Sequence, residues 1–421
     1  MTSTQPGTSS ALAVPITKVG ARWIVLYFLA WFAIWIAQLT PTQLLLPEQV
    51  DAPNGPALWT DGVIYFSLVF AGGGVAAMIT GPITGALSDR TLSRFGRRRP
   101  WMFSGLLIAA LGVASLGFET SVPAIAVSWV VVSVGICMAS AAYMALIADQ
   151  VPLHQRGFAS GIIGSTQAIG VIVGVGLVVL LSLSIRDGYL LMAGLLLAVG
   201  LPTVVLLPDA PLPAISQPAF TFRRIVAGMW VSPVRFPNFA WVLLSRALVN
   251  TGNALGTGLL LYFLIYGLGD ADADDHLLLL ISVYTVFVVI ASIGGGKLSD
   301  RFGRRRLFIV VSAILQALSS ILLAAMPSLG TALFSAALLG LGYGCFCSVD
   351  LALATEVLPA AEDRAKDLGI MNIAAMAPQA FAPMLGAWLV AITGGFSMLF
   401  LAGAVFSLFG AAALAPIRRT T

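Results

Sequence analysis

A single carboxyl group, Asp350, stands inside an otherwise apolar stretch of the chain, GYGCFCSVDLALATEVLP. A charged Asp at the centre of a membrane helix costs about 2.5–3.5 kcal/mol on insertion scales, so such residues normally face a cavity and are functional. Burial disfavours the charged form of a carboxyl group, which would let Asp350 bind and release a proton. Two other roles stay open: holding a polar solute and bonding a neighbouring helix.

Amide side chains occur within other apolar stretches of the chain. Amides both donate and accept hydrogen bonds, which suits a neutral ligand rich in hydroxyl groups, and Tyr143 or Trp35 would offer a ring to stack on it. Bonding to a neighbouring helix is the competing role for each amide. The candidate residues for binding substrate or a coupling proton are Asp350, Tyr143, Gln38, Gln43, Asn250, Asn253, Asn372 and Gln379.

Long apolar stretches must position these residues. Hydrophobic residues make up 59% of the 421 residues, charged residues 10%, and the mean hydropathy is +0.97, which excludes a water-soluble globular protein. A bilayer core needs about 20 apolar residues per helix, and runs such as Val171–Leu183 are continuously apolar, unlike the alternating strands of a β-barrel. We therefore predict an all-α integral membrane protein with twelve transmembrane helices near residues 20–46, 59–86, 100–118, 123–149, 158–183, 188–207, 238–268, 276–298, 307–326, 329–357, 367–393 and 395–416.

The basic residues predict the orientation of these helices. All of the 22 Lys and Arg residues except Arg186 lie at the chain ends or in or beside the loops after even-numbered helices; Arg246, at the inner end of helix 7, is interpreted as one of these topological charges. By the positive-inside rule both termini and these loops are cytoplasmic. We expect a multi-pass protein of the cell membrane, surrounded by lipid. Its net charge of +4 reflects this topology and does not indicate nucleic-acid binding.

An internal repeat indicates two parallel halves. The segment SDRTLSRFGRRRPW at Ser88–Trp101 recurs as SDRFGRRR at Ser299–Arg306, and Ile147–Gly161 matches Ala354–Gly369. Such repeats are typical of carriers with a substrate site near the bilayer midplane between the halves. The predicted domains are a cytoplasmic tail at 1–19, a six-helix half at 20–207, a cytoplasmic linker at 208–237, a second six-helix half at 238–416 and a cytoplasmic C-terminus at 417–421.

The repeated loop also supplies charges for a cytoplasmic gate. Asp149 and Glu356 end helices 4 and 10, and we expect them to pair with Arg90 or Arg97 and with Arg301 or Arg304, respectively. Exposed ion pairs contribute about 0–1 kcal/mol each, so several would have to act together as a latch. The alternative is that the arginines only set topology. The candidate gate residues are Asp89, Arg90, Arg97, Asp149, Asp300, Arg301, Arg304 and Glu356.

Both copies of the loop resemble a known signature. GALSDRTLSRFGRRR and GGKLSDRFGRRR resemble the inner-loop motif of the major facilitator superfamily, G-x-L-x-D-R-x-G-R-R, and the resemblance covers the whole chain. SDRTLSRFGRRRP is also similar to the corresponding segment of sucrose–proton symporters and their relatives. The resemblance implies the major facilitator fold and a functional monomer that needs no cofactor. It implies the proton as coupling ion, although sodium stays open.

Helix 4 departs from the sucrose-symporter pattern. Where that family has an acid and an arginine, this chain has Ser133 and Met144. The coupling mechanism of that family therefore cannot be carried over to this chain. In the internal repeat Asp350 aligns with Tyr143, so the acid could have moved to the other half.

The residues favour transport over catalysis. The chain contains neither G-x-S-x-G nor G-x-x-x-x-G-K-[ST], and its His, Cys and Asp residues form no cluster in the sequence that indicates a metal site. An enzyme is not expected. The leading hypothesis is a proton-coupled symporter of a sugar or glycoside, the alternative is a proton-coupled exporter of drugs or metabolites, and a transporter-like solute receptor is a remote third.

Overall fold

Helices account for all regular structure in the part of the chain that the computed structural model describes, residues 18–51, 58–152, 155–211, 236–302, 305–356 and 364–416. This confirms the predicted all-α class. The helices are α1 Ala21–Val50, α2 Trp59–Ser88, α3 Arg99–Leu116, α4 Val122–Gln150, α5 Arg156–Leu180, α6 Ile185–Leu206, α7 Pro237–Thr257, α8 Ala273–Phe302, α9 Arg305–Ala325, α10 Leu329–Glu356, α11 Arg364–Thr393 and α12 Ser397–Ala412.

Most of these helices are long and apolar enough to cross a bilayer. Among the described residues ten pass that criterion individually, and α7 forms an eleventh span with its continuation Leu260–Gly267, from which it is bent by 40°. The apolar helix α12 has 16 residues, about 24 Å at 1.5 Å per residue, which is short of a 30 Å core. Each predicted span corresponds to one helix, although length and composition identify eleven crossings and not twelve.

Local sequence explains where several helices begin. Pro100, Pro123 and Pro237 each stand in the first turn of a helix, where the missing N–H is not needed. Ser184 caps α6 by accepting a hydrogen bond from the backbone N–H of Asp187 at 3.2 Å. Within α1 a π-helical segment at Pro41–Leu45 accommodates a proline in the middle of the span.

The helices pack in the same order in each half of the sequence. In the first half α1 packs on α5 and α6, and α3 packs on α4 and α6. In the second half α7 packs on α11 and α12, and α9 packs on α10 and α12. The same four pairings recur six helices later, which confirms the parallel repeat.

Each half also contains a close helix crossing at a glycine, in the same place of the repeat. A Cβ atom at Gly135 of α4 would lie 2.4 Å from the backbone nitrogen of Ala109 on α3. At the corresponding crossing of α10 and α9, a Cβ atom at Gly342 would lie 2.7 Å from the carbonyl oxygen of Ser312. Glycine lets each helix pair approach at backbone distance, as is common in membrane bundles.

Backbone contacts divide the chain into two compact units. The first unit contains Met1–Leu45 and Val75–Thr221, and the second contains Leu46–Gly74 and Phe222–Thr421. The end of α1 and the first part of α2 thus group with the second half of the sequence. The boundary between the two units therefore lies not only in the predicted linker but also within α1 and α2.

Candidate functional site

Asp350 forms an ion pair inside the second unit. Its Oδ2 contacts Nη1 of Arg246, which projects from α7 toward α10. Asp350 is 5% exposed, and the Arg246 side chain is 15% exposed. Removing one partner of a buried pair leaves an uncompensated charge in a medium of low polarity. Arg246, interpreted from the sequence as a topological charge, is therefore also the counterion of Asp350.

Two amides predicted as candidate ligand residues lie on the same face of α7 as Arg246. Arg246, Asn250 and Asn253 follow one another at helical spacing. Asn250 Oδ1 accepts a hydrogen bond from the Tyr343 hydroxyl at 3.2 Å, and its Nδ2 donates to the Arg246 carbonyl at 2.8 Å. Asn253 Oδ1 accepts from the Tyr284 hydroxyl at 3.1 Å. The structure thus brings Asn250 and Asn253 together with the ion pair.

Tyrosines from α8 and α10 complete this group. The rings of Tyr284 and Tyr343 stack with centroids 6.5 Å apart. Arg246 Nε is buried and has no acceptor among the described residues, so one guanidinium donor remains for a further acceptor. The group offers amide, hydroxyl and charged partners beside an aromatic surface. We call it the polar strip, defined by Arg246, Asn250, Asn253, Tyr284, Tyr343 and Asp350.

The other predicted ligand residues lie elsewhere. Tyr143 is fully buried in the first unit, where its hydroxyl shares a hydrogen bond of 2.7 Å with Thr203 Oγ1 and its carbonyl accepts from Tyr27 at 3.4 Å. This placement gives Tyr143 a packing role. Gln38 and Gln43 are half-buried on α1, Gln379 is exposed on α11, and the side chain of Asn372 lies outside the described residues.

The basic loop of the first half forms a dense cluster of ion pairs. Asp149 binds two arginines, with Oδ1 on Arg97 Nη2 and Oδ2 on Arg98 Nε at 3.0 Å. Arg98 also contacts Asp89 and donates to Ser88 Oγ at 2.6 Å. Burial alone would lower the pKa of Arg98, but the carboxylates of Asp149 and Asp89 raise it. Of the two predicted partners for Asp149, the structure has Arg97; Arg98 was not among the candidates.

Asp209 holds this loop to the end of α6. Its Oδ2 accepts the backbone N–H groups of Arg98 and Arg99 at 2.7 and 2.8 Å, while the Arg99 guanidinium donates to carbonyls at the end of α6. Gly96 has a φ of 114°, and a Cβ atom there would lie 2.2 Å from Asp209 Oδ2, so the turn requires glycine. Burial raises the pKa of Asp209, against the opposing effect of these hydrogen bonds.

These contacts include one of the predicted gate pairs, Asp149 with Arg97, while the opening and closing of the gate stays a prediction. Asp89, Arg97 and Asp149 all lie in the first unit, so the pairs join helices of one half. For the second copy, Arg301 is exposed and the remaining side chains are not described, so its latch stays a prediction. Arg90 is half-buried after α2. The candidates outside the described side chains are Asp300, Arg304 and Glu356.

The repeated six-helix packing and the apolar spans define a helical membrane protein built from two similar halves. Residues 24–280 and 274–421 match the family model of the Major Facilitator Superfamily. The chain belongs to this family. It is thus a multi-pass membrane transporter of a small-molecule substrate and not an enzyme.

Comparisons with individual proteins are consistent with that family. The chain is 38% identical over 58 residues to the sucrose transport protein SUT5 of Oryza sativa subsp. indica, which is 14% of this chain and covers 11% of the length of that relative. A mutant of the nucleoside transporter NupG aligns with a TM-score of 0.75 and 14% identity over 94% of this chain and 99% of the other. A mutant of the peptide transporter POT gives a TM-score of 0.75 and 17% identity over 97% and 98% of the two chains. At such identities the solved structures show the fold alone.

Proposed function

We propose that the protein is a secondary active carrier that moves a sugar or glycoside together with a proton by alternating access. The observation that carries the proposal is the buried Arg246–Asp350 pair, flanked by amides and tyrosine hydroxyls that suit a neutral polyhydroxylated ligand. The local similarity to a sucrose transport protein supports the sugar class.

Proton binding and substrate binding can be linked through the ion pair. A proton on Asp350 removes the charge that holds Arg246, and this frees the guanidinium to donate to a substrate oxygen. Arg246 Nε, which has no acceptor among the described residues, supplies a further donor at the same place. A coupling of about 1–3 kcal/mol between the two ligands is enough to change the affinity for each by 5- to 150-fold.

Orientation and assembly complete the proposal. Both termini and the basic loops face the cytoplasm of the cell membrane, because Lys and Arg gather at that end of the helices. The unit of function is the monomer, and the coupling ion is the proton.

Counterflow in proteoliposomes tests this function. The purified full-length protein is loaded with unlabelled sugars, glycosides, nucleosides or hydrophobic cations, and uptake of the labelled compound is measured with and without a pH gradient. Asp350→Asn should keep sugar exchange and lose accumulation driven by the pH gradient. The matched control is Asp275→Asn, an exposed acid on α8, which should behave as the native protein.

Two results would contradict the proposal. Exchange of a hydrophobic cation without exchange of any sugar would favour the exporter. Sugar accumulation that still follows the pH gradient in Asp350→Asn would remove Asp350 from proton coupling.

A further inference from the structure

The loop between α2 and α3 contains four residues that its repeat lacks. SDRTLSRFGRRR at Ser88–Arg99 and SDRFGRRR at Ser299–Arg306 differ by the segment Thr91–Arg94, which only the first copy has. The ion pairs of the first loop use Asp89, Arg97 and Arg98, and these residue types occur in both copies. The added segment therefore has a role that the shared motif does not explain.

The added segment exposes apolar and basic side chains side by side. Leu92 is 63% exposed and the neighbouring Phe95 is 60% exposed. Arg94 is also exposed, and its guanidinium carbon lies 4.8 Å from the centre of the Phe95 ring. Among the described residues Arg94 forms no ion pair. A charge without a protein counterion thus lies between two exposed apolar side chains.

Hydrogen bonds hold this segment in place. Thr91 Oγ1 accepts from Trp101 Nε1 at 2.7 Å and donates to the Leu87 carbonyl at 2.9 Å. Ser93 Oγ accepts the backbone N–H of Phe95 at 3.2 Å. The exposed side chains therefore project from an ordered backbone, which lowers the entropy cost of binding a partner.

The segment lies at the end of a lipid-facing surface. Phe103, Leu107 and Leu111 of α3 are exposed and follow one another at a spacing of one helical turn, so they form the face of this span that contacts acyl chains. Arg99 lies one turn before Phe103, and its Nη1 donates to the Phe95 carbonyl at 3.4 Å. Phe95 therefore lies where the acyl-chain face of α3 meets the loop.

The charge of the loop favours an anionic partner. Residues 88–99 contain five arginines and one aspartate, and the contacts of the loop add the carboxylates of Asp149 and Asp209. Five arginines against three carboxylates leave two positive charges. A zwitterionic phospholipid brings its own cation and leaves this excess in place, whereas each anionic phospholipid neutralises one charge. The guanidinium group also matches the geometry of phosphate oxygens.

We propose that this loop binds the headgroup of an anionic phospholipid, at a site that we call the lipid dock, defined by Leu92, Arg94 and Phe95. Arg94 donates to the phosphodiester oxygens, and the two apolar side chains enter the acyl region beside it. The bound lipid holds the loop ends of α2 and α3 at the membrane surface. The assignment to the cytoplasmic leaflet rests on the orientation proposed above, whereas binding itself depends on neither orientation nor substrate.

Photolabelling in liposomes tests the lipid dock. The full-length protein is placed in phosphatidylcholine and phosphatidylethanolamine with a trace of a photoactivatable lipid, which has either a phosphatidylglycerol or a phosphatidylcholine headgroup and the same acyl chains. After irradiation, mass spectrometry measures the lipid attached to peptides from residues 88–101 and from residues 299–306. The second loop shares the FGRRR sequence but lacks the added segment, so it controls for positive charge alone.

The lipid dock predicts a preference for the anionic headgroup that depends on Arg94. In the first loop the phosphatidylglycerol probe should label about fivefold more than the phosphatidylcholine probe, the factor that corresponds to about 1 kcal/mol for one arginine near an anionic surface. The preference in the second loop should be smaller. Arg94→Gln should abolish the preference of the first loop, and Leu92→Ser should lower the labelling by phosphatidylglycerol. Both side chains are exposed, so both variants should keep the native melting temperature.

Arg186 offers a matched control for Arg94. It is exposed at the start of α6 and lies over the Phe118 ring at 4.5 Å, so it has the same kind of aromatic contact at a different place. Arg186→Gln should leave the labelling of residues 88–101 unchanged.

Three results would overturn the lipid dock. They are equal labelling of the first loop by the two headgroups, an equal preference in both loops, and a preference that survives in Arg94→Gln. Competition by inorganic phosphate at constant ionic strength would assign the site to free phosphate and would also overturn it. The assay needs no transport substrate, so its failure is distinct from failure of sugar transport.

Discussion

At the scale of single residues, the charge of Asp350 is balanced by Arg246 across two helices. A carboxylate and a guanidinium that are both largely buried stabilise each other, but their shared desolvation cancels much of the gain. The net stabilisation of the ion pair is therefore small, and one proton on the carboxylate is enough to break the pair. This is the property that a proton-coupled carrier requires of its central acid.

A double substitution should measure the direct interaction between Asp350 and Arg246. Asp350→Leu leaves Arg246 buried without a counterion and should lower the free energy of unfolding by about 3–5 kcal/mol. Adding Arg246→Met should restore most of this loss, because the pair is then replaced by apolar side chains. Thermal unfolding of the purified protein in detergent measures both changes, and additive losses would contradict direct pairing.

The tyrosine hydroxyls of the polar strip should also contribute to stability. Tyr343→Phe leaves Asn250 Oδ1 without its 3.2 Å donor and should cost about 1–3 kcal/mol. Tyr65, which is 39% exposed, offers a matched control, and Tyr65→Phe should change stability by less than about 0.5 kcal/mol. Equal melting temperatures for the two variants would argue against the bond.

At the scale of helices, the basic loop of the first half acts as an anchor. Asp209 caps the start of α3 from the end of α6, and Asp149 of α4 holds Arg97 and Arg98. The loop therefore ties four helices of one half together. The action of the same charges as a latch stays a prediction.

The cap at Asp209 should show a defined pH dependence. Asp209→Ala removes two hydrogen bonds from the start of α3 and should cost about 1–2 kcal/mol, whereas Asp209→Asn keeps an acceptor and should cost less. Because burial raises the pKa of Asp209 in the folded state, the folded protein takes up this proton before the unfolded chain does. Stability relative to Asp209→Asn should therefore increase as the pH falls through this titration, as measured by thermal unfolding from pH 7 to pH 4.

The glycine crossings should tolerate no side chain. Gly135→Ala and Gly342→Ala each place a Cβ atom within 2.4–2.7 Å of backbone on the facing helix and should cost about 1–3 kcal/mol. Gly164 on α5 has nothing within 4 Å of such an atom, so Gly164→Ala should be neutral or stabilising by up to about 1 kcal/mol. Equal melting temperatures for all three variants would show that the helices at Gly135 and Gly342 are not in backbone contact.

At the scale of the whole molecule, hydropathy predicted the helices well because a bilayer core requires a long apolar stretch, about 20 residues, for each span. The parallel repeat was also readable from the sequence, since the basic loop motif recurs in both halves. The pairing of charged side chains could not be predicted from the sequence in the same way. Arg246 lies 104 residues from Asp350, and hydropathy does not show which faces of α7 and α10 meet.

The same limit applies to the neighbouring arginines and to Tyr143. Arg97 and Arg98 are adjacent in the motif, and the sequence does not show that both of them reach Asp149. Tyr143 aligns with Asp350 in the repeat, but Thr203 occupies its hydroxyl. A position in a sequence repeat is therefore a better guide to the helix than to the chemistry of its side chain.

Proton movement driven by sugar tests the central claim most directly. Proteoliposomes in a weakly buffered medium are given an inward gradient of a sugar that the protein exchanges, and the external pH is recorded. The account predicts a sugar-dependent alkalinisation in the native protein that disappears in Asp350→Asn while counterflow persists. Sugar uptake by the native protein with no change in external pH would contradict proton coupling at Asp350.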